Sequence, residues 1–191
     1  MAKKNKEISS SNLIKVKPIT EGQKSVFETW KKGQNQFLFG CAGTGKTFIS
    51  LYLAMQDVLD LKTKYDKVIL VRSLIPTREI GFLPGDEEDK AALYQVPYQN
   101  MVKFMFEQPN EQAFNMLYDR LKNQGSLYFL STSFLRGLTF DNSIIIVDEC
   151  QNLNFHELDT ITTRVGQDSK IVFCGDFSQT CLLYTSDAAD E

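Results

Sequence analysis

The chain has 191 residues, of which 42% are hydrophobic and 24% charged, with a formal net charge of −3. That balance excludes a disordered or collagen-like chain, and the length is well above that of scaffolds needing disulfides or metals to hold a core. Apolar runs such as Ile144 to Val147 fall far short of the roughly 20 residues of a membrane helix, and no apolar stretch follows the Lys-rich start, so neither a span nor a signal peptide is expected.

Residues 1–17 read as a flexible, basic and Ser-rich tail, with Lys3, Lys4 and Lys6 more simply solvated than bound to phosphates. From Pro18 the chain alternates short apolar runs with amphipathic stretches, and a domain over 18–180 is expected. Helices are predicted over 21–32, 46–60, 87–106, 110–123 and 155–164. Strands are predicted over 36–39, 67–71, 127–130, 144–147 and 171–173, mostly as continuous apolar runs of the kind buried on both faces. The fold class expected is α/β, a doubly wound parallel sheet of about five strands with helices on both faces.

The first strand, QFLF, leads into GCAGTGKT at 40–47 and then into the amphipathic FISLYLAMQDVL. This is a full G-x-x-x-x-G-K-S/T phosphate loop (Walker A) in the strand-to-helix setting its mechanism demands. Gly40, Gly43 and Gly45, with Cys41, Ala42 and Thr44 between them, would let backbone amides close around phosphate oxygens, aided by the positive end of the next helix. Lys46 would reach the β- and γ-phosphates of ATP, and Thr47 would offer its hydroxyl to Mg²⁺. Cys41 is either a reactive thiol in a positive loop or a small residue that fits there.

Further along, Leu93 to Phe106 is rich in aromatics; core packing is a simpler account of them than base stacking. The strand IIIV at 144–147 ends in Asp148 and Glu149, about a hundred residues after Lys46, as a Walker B strand would. Asp148 would hold Mg²⁺ through water, and Glu149 would take a proton from an attacking water, which favours ATP hydrolysis over phosphoryl transfer to a small molecule. The next helix carries a capping box, Asn154 with Glu157, with Gly166 suited to its exit, and His156 reads as a polar first-turn residue. After KIVFC, the GDFSQ segment places Asp176 and Gln179 at the carboxyl end of a strand, where Asp176 would support the metal and Gln179 would sense the γ-phosphate or orient the water. The last eleven residues, CLLYTSDAADE at 181–191, read as translated sequencing adapter; without them acids and bases balance, and the cysteines are Cys41, Cys150 and Cys174, with no metal-type spacing and of the free kind kept in a reducing cytoplasm.

With ITEGQK (19–24), GCAGTGKT (40–47), ILVRSLIP (69–76), GFLPGD (81–86), FLRGLTF (134–140), VDECQN (147–152), TTRVG (162–166) and GDFSQT (175–180), the sequence resembles the PhoH-like ATPases. These are phosphate-starvation-associated P-loop NTPases of bacteria and phages, related to superfamily 1 helicases. The resemblance implies a RecA-like core in a bacterial or phage-infected cytoplasm. It also implies Gln23 as an adenine reader, with an exposed helix residue as the plainer alternative, and Arg72 and Arg136 as contacts to RNA, single-stranded DNA or phosphate, with an ion pair as the plainer alternative for Arg136. Cys150 departs from the small Ala usual in the family, and the family's domain continues past GDFSQT, so a distal arginine is not expected before residue 180. A single motor core implies assembly into a homo-oligomer. The reading from another class is a nucleotide-gated regulatory binding module with little turnover.

Overall fold

The computed structural model describes residues 7–73, 87–135, 137–176 and 178. Lys3, Lys4, Lys6, the GFLPGD segment, Arg136, Gln179 and residues 181–191 therefore lie outside the described residues.

In chain order the elements are α1 (Glu21–Lys31), β1 (Gln36–Phe39), α2 (Lys46–Leu59), β2 (Lys67–Arg72), α3 (Glu87–Phe106), α4 (Glu111–Asn123), β3 (Leu127–Ser131), β4 (Ser143–Asp148), α5 (Phe155–Thr162) and β5 (Lys170–Gly175). The five strands form one all-parallel sheet in the order β1-β5-β4-β2-β3. Parallel strands need covered faces, and the apolar alternation divides accordingly. Val68, Leu70, Ile144, Ile146 and Val172 meet the buried faces of α2, α3 and α4. Ile69, Val71, Ile145, Val147 and Ile171 meet Leu135, Phe140, Leu153 and Ile161 of α5. Every residue of β4 is buried, which explains why IIIV shows no polar alternation.

Helix starts follow their caps. Thr20 Oγ1 accepts from the Gln23 amide at α1, Asn110 Oδ1 from the Ala113 amide at α4, and Asn154 with Glu157 completes a reciprocal box at α5. The expected exit at Gly166 is corrected: α5 stops at Thr162 with Thr163 as its C-cap. Gly166 instead donates its amide to Phe140 O at 3.0 Å. A Cβ there would stand 2.9 Å from that oxygen and 2.0 Å from Asp141 Oδ1, so close approach is what requires glycine.

The expected flexible tail over 1–17 is corrected from Ile8 onward. Ile8 and Leu13 are buried in the core, the Ile14 amide donates to Met105 O at 2.9 Å, and Tyr52 Oη bridges Ile14 O and the Val16 amide. Apolar residues spaced along a short stretch were enough to seat it on α2 and α3. A buried cation holds α1: Lys170, at the start of β5, donates to Trp30 O at 3.1 Å, with its ammonium 4.0 Å from the Trp30 ring centroid. Burial lowers the Lys170 pKa, partly offset by Asp57, which accepts from Trp30 Nε1 at 2.8 Å. No helix among the described residues is long and apolar enough to cross a membrane.

Candidate functional site

The strand order interposes β5 between β1, which feeds the glycine loop over 40–45, and β4, which ends in the acid pair. The carboxyl ends of these three strands and the start of α2 enclose a cleft of about 250 Å³ lined by Lys46, Thr47, Asp148, Glu149, Gly175 and Asp176, among others. In parallel α/β sheets this is the edge where ligands bind.

The loop is built on glycine. Gly43 and Gly45 have φ of 77° and 82°, conformations that cost most residues strain. Gly45 is also the N-cap of α2 and contributes no side-chain acceptor. The first turn of α2 is thus left without a side-chain cap, a setting in which an anion is stabilised. Lys46 Nζ donates to Gly40 O at 2.7 Å and Cys41 O at 2.8 Å, and more weakly to Thr44 Oγ1 at 3.5 Å, which holds the ammonium at the loop. Cys41, Ala42, Gly43 and Thr44 lie exposed along the loop. Gln23 is at the loop as well, donating from Nε2 to Thr44 O at 3.2 Å and accepting the Ile19 amide on Oε1 at 2.8 Å.

Across the cleft, Thr47 Oγ1 donates to Asp148 Oδ1 at 2.6 Å, joining two residues 101 positions apart. A hydroxyl and a carboxylate together are hard oxygen donors, the chemistry Mg²⁺ selects, and Mg²⁺ commonly takes only one or two carboxylates from the protein beside phosphates and water. The residues present therefore fit that ion. Glu149 follows in the left-handed region, with φ 51° and ψ 42°, where the chain turns sharply out of β4. Its Oε2 accepts from Gln151 Nε2, and Gln151 Oε1 in turn accepts the Asp176 amide at 3.0 Å. Asp176 accepts from the Ser178 hydroxyl and amide. That hydroxyl, against a burial cost, and the amides of Ser178 and Ala42 hold the Asp176 carboxyl below its usual range. Arg72, at the end of β2, is half-buried against Tyr94 and faces Tyr98, Asp148 and Glu149. Burial opposes its charge, but Tyr98 and the two acids more than offset that.

A family model described as PhoH-like protein matches residues 15–189. The chain belongs to the PhoH-like protein family. It is 36% identical over 143 residues to Protein PhoH2 of Bacillus subtilis (strain 168), covering 74% of this chain and 31% of that protein. It is 33% identical over 168 residues to a PhoH-like protein of Synechocystis sp., covering 87% and 48%, and 30% identical over 161 residues to Protein PhoH of Escherichia coli (strain K12), covering 83% and 43%. The chain thus spans about a third to a half of the length of these relatives.

Within this PhoH-like chain, the structure brings together Lys46, Thr47, Asp148, Glu149 and Asp176, while Gln23 holds the loop at Thr44 O and is not among the residues lining the cleft. Two residues that belong to the site escaped the sequence reading. Gln151 had a signal, two positions after Glu149 inside VDECQN. Tyr98 donates to Asp148 Oδ2 at 2.6 Å from α3, and its only mark in the sequence is a hydroxyl in the buried row Tyr98, Val102, Met105.

Proposed function

We propose that this PhoH-like chain binds and hydrolyses ATP with Mg²⁺ and couples its nucleotide state to RNA or single-stranded DNA. The observation that carries the reading is the Glu149 carboxylate, clamped by Gln151 beside the Thr47–Asp148 pair and opposite Lys46. Thr47 and Asp148 would hold Mg²⁺, whose charge offsets that of the β- and γ-phosphates. Lys46 and the loop amides bind the phosphates and place the γ-phosphorus. Glu149 takes the proton of a water as its oxygen bonds to that phosphorus and the bond to the ADP oxygen breaks. Gln151 keeps Glu149 aimed, Asp176 supports the metal side, and Gln179 is the residue proposed to orient the water. Gln23 reads adenine in this scheme by giving up its bonds to Ile19 and Thr44.

The nucleic-acid part rests on a second hollow, of about 370 Å³, lined by Thr132, Ser133, Asn154, His156, Glu157 and Thr160. Phe134 and Phe155 are 63% and 76% exposed, and exposed rings beside hydroxyls suit stacked bases and their phosphates. Arg136 stays a proposed contact to nucleic acid from the sequence alone; Arg72 is instead engaged with Tyr98 and the acid pair. Assembly of subunits, so that a neighbour covers the open cleft, belongs to the same reading.

Lys46→Ala tests the foundation. It should weaken ATP binding by about 1.5 to 3 kcal/mol, the range for hydrogen bonds to charged groups. Unchanged affinity would remove the phosphate-loop assignment, and an ATPase rate indifferent to added RNA and single-stranded DNA would remove the coupling.

A further inference from the structure

Asp148 is held from two sides. Its Oδ1 accepts from Thr47 at the start of α2, and its Oδ2 accepts from Tyr98 in the middle of α3, both at 2.6 Å. Tyr98 is 2% exposed, its ring lies 5.6 Å from that of Phe129, and the neighbouring buried positions of α3, Val102 and Met105, are wholly apolar. A phenylalanine would serve packing alone on such a face, whereas a buried phenol needs a partner for its hydroxyl. The partner is the acid that the proposed function assigns to the metal. Arg72, in register with Asp148 across the β2–β4 ladder, faces the same phenol and the acid pair. The hydroxyl therefore donates to a carboxylate with a guanidinium facing the pair, a polarised arrangement that favours that direction.

We propose that Tyr98 is a positioning residue, which locks the rotamer of the Asp148 carboxylate so that its Oδ1 edge faces Thr47 and the metal. The inference rests on the ATP and Mg²⁺ reading above and adds to it a role for α3. Without the hydroxyl, Oδ2 is a buried carboxylate oxygen lacking its donor, and the carboxylate is free to turn toward the Arg72 guanidinium. What is lost is the preset geometry for the ion, while phosphate binding by Lys46 and the loop amides is left intact.

The test is ATP binding by calorimetry to the full chain, in EDTA and across a Mg²⁺ titration, for the parent, Tyr98→Phe and Phe129→Leu. Tyr98→Phe keeps the ring and removes the hydroxyl; Phe129→Leu disturbs the ring's packing and keeps the hydroxyl. Tyr98→Phe should bind ATP in EDTA as the parent does, yet need about tenfold more Mg²⁺ for half of the metal-dependent gain in affinity, the low end for a hydrogen bond to a charged group. Phe129→Leu should keep the parent's Mg²⁺ requirement. A parent-like titration for Tyr98→Phe would overturn the assignment, as would an equal loss with and without Mg²⁺, or the same shift in Phe129→Leu, since either would mark a packing role. A parent whose ATP affinity ignores Mg²⁺ would instead bring down the proposed function itself, and this inference with it.

Discussion

Gly175 closes β5 at the floor of the cleft, and the structure indicates what a single methyl group there would do. Its φ is not in the left-handed region, so alanine is allowed by the backbone and excluded only by neighbours. A Cβ would stand 2.6 Å from Cys150 Sγ, 3.1 Å from Gln151 Oε1 and 3.6 Å from the Gln151 nitrogen. Carbon contacts settle at roughly 3.5 to 4.0 Å, so the turn over Cys150–Asn152 would have to retreat by about 1 Å. Overpacking of this kind costs about 1 to 3 kcal/mol. Taking about 2 kcal/mol, and a shift of about 2 to 4 °C per kcal/mol for a chain of this size, Gly175→Ala should melt about 4 to 8 °C below the parent. Because the clash is chiefly with sulfur, Cys150→Ala in the same chain should recover part of the loss. Thermal melts of the parent, both single variants and the double variant give the coupling, expected at about 1 kcal/mol. A Gly175→Ala chain melting with the parent, or strict additivity in the cycle, would refute the reasoning. The displaced turn carries Gln151, so any ATPase activity should fall in the single variant by more than its melting point suggests.

Glu149→Gln should leave Mg²⁺-ATP affinity near that of the parent while turnover drops by about 10² or more, since the amide keeps the shape but takes no proton; a surviving rate would pass the base role to another residue. Among the three cysteines outside the last eleven residues, Cys41 is exposed, whereas burial foremost, with Asp148 adding to it, pushes Cys150 up to about 11, and burial pushes Cys174 up to about 12. At pH 8 a thiol reagent should therefore label Cys41 first, with Mg²⁺-ATP slowing that reaction alone; equal labelling of Cys41 with and without nucleotide would leave it a spacer. The same two buried thiols have folded pKa values above the ordinary value of 9.0, so their contribution to stability is complete below that pH and lost as pH rises through about 11 and 12. Melting points should fall above pH 9, and a flat profile to pH 11 would count against the burial argument.

The elements were legible because burial writes itself into composition. IIIV, KVILV and KIVFC have no polar face to show, which is the pattern of central parallel strands, and each strand was found within two residues of its ends. The capping residues Asn154 and Glu157 act over three positions, so a local reading found them too. Contacts over long separations were not legible. Nothing in the sequence says that Lys170 lies on Trp30, 140 residues earlier, or that Tyr98 reaches Asp148, 50 residues away. Gly166 was misjudged for the same reason, since its need for glycine comes from Phe140 and Asp141 across a turn, not from the helix before it. At the site, the motif spacing pointed to Lys46, Thr47, Asp148 and Glu149, while the strand order that brings Asp176 between them had no local sign.

That strand order has a consequence for the birth of the protein. β5 pairs with β1 through Gln36↔Val172 and with β4 through Ile146↔Val172, so one late segment fills a slot between two earlier ones. During synthesis, β1 and its glycine loop leave the ribosome long before that filler exists, and at roughly 5 to 20 residues per second the β1 edge waits several seconds at least, the slot itself opening once β4 has emerged. Two parallel strand edges, lined by Leu38, Ile144 and Ile146, then stand bare of their eventual neighbour. A nascent chain in that state shows apolar edges of the kind chaperones cover, and the cleft beside the glycine loop lacks its floor until residues 170–175 arrive.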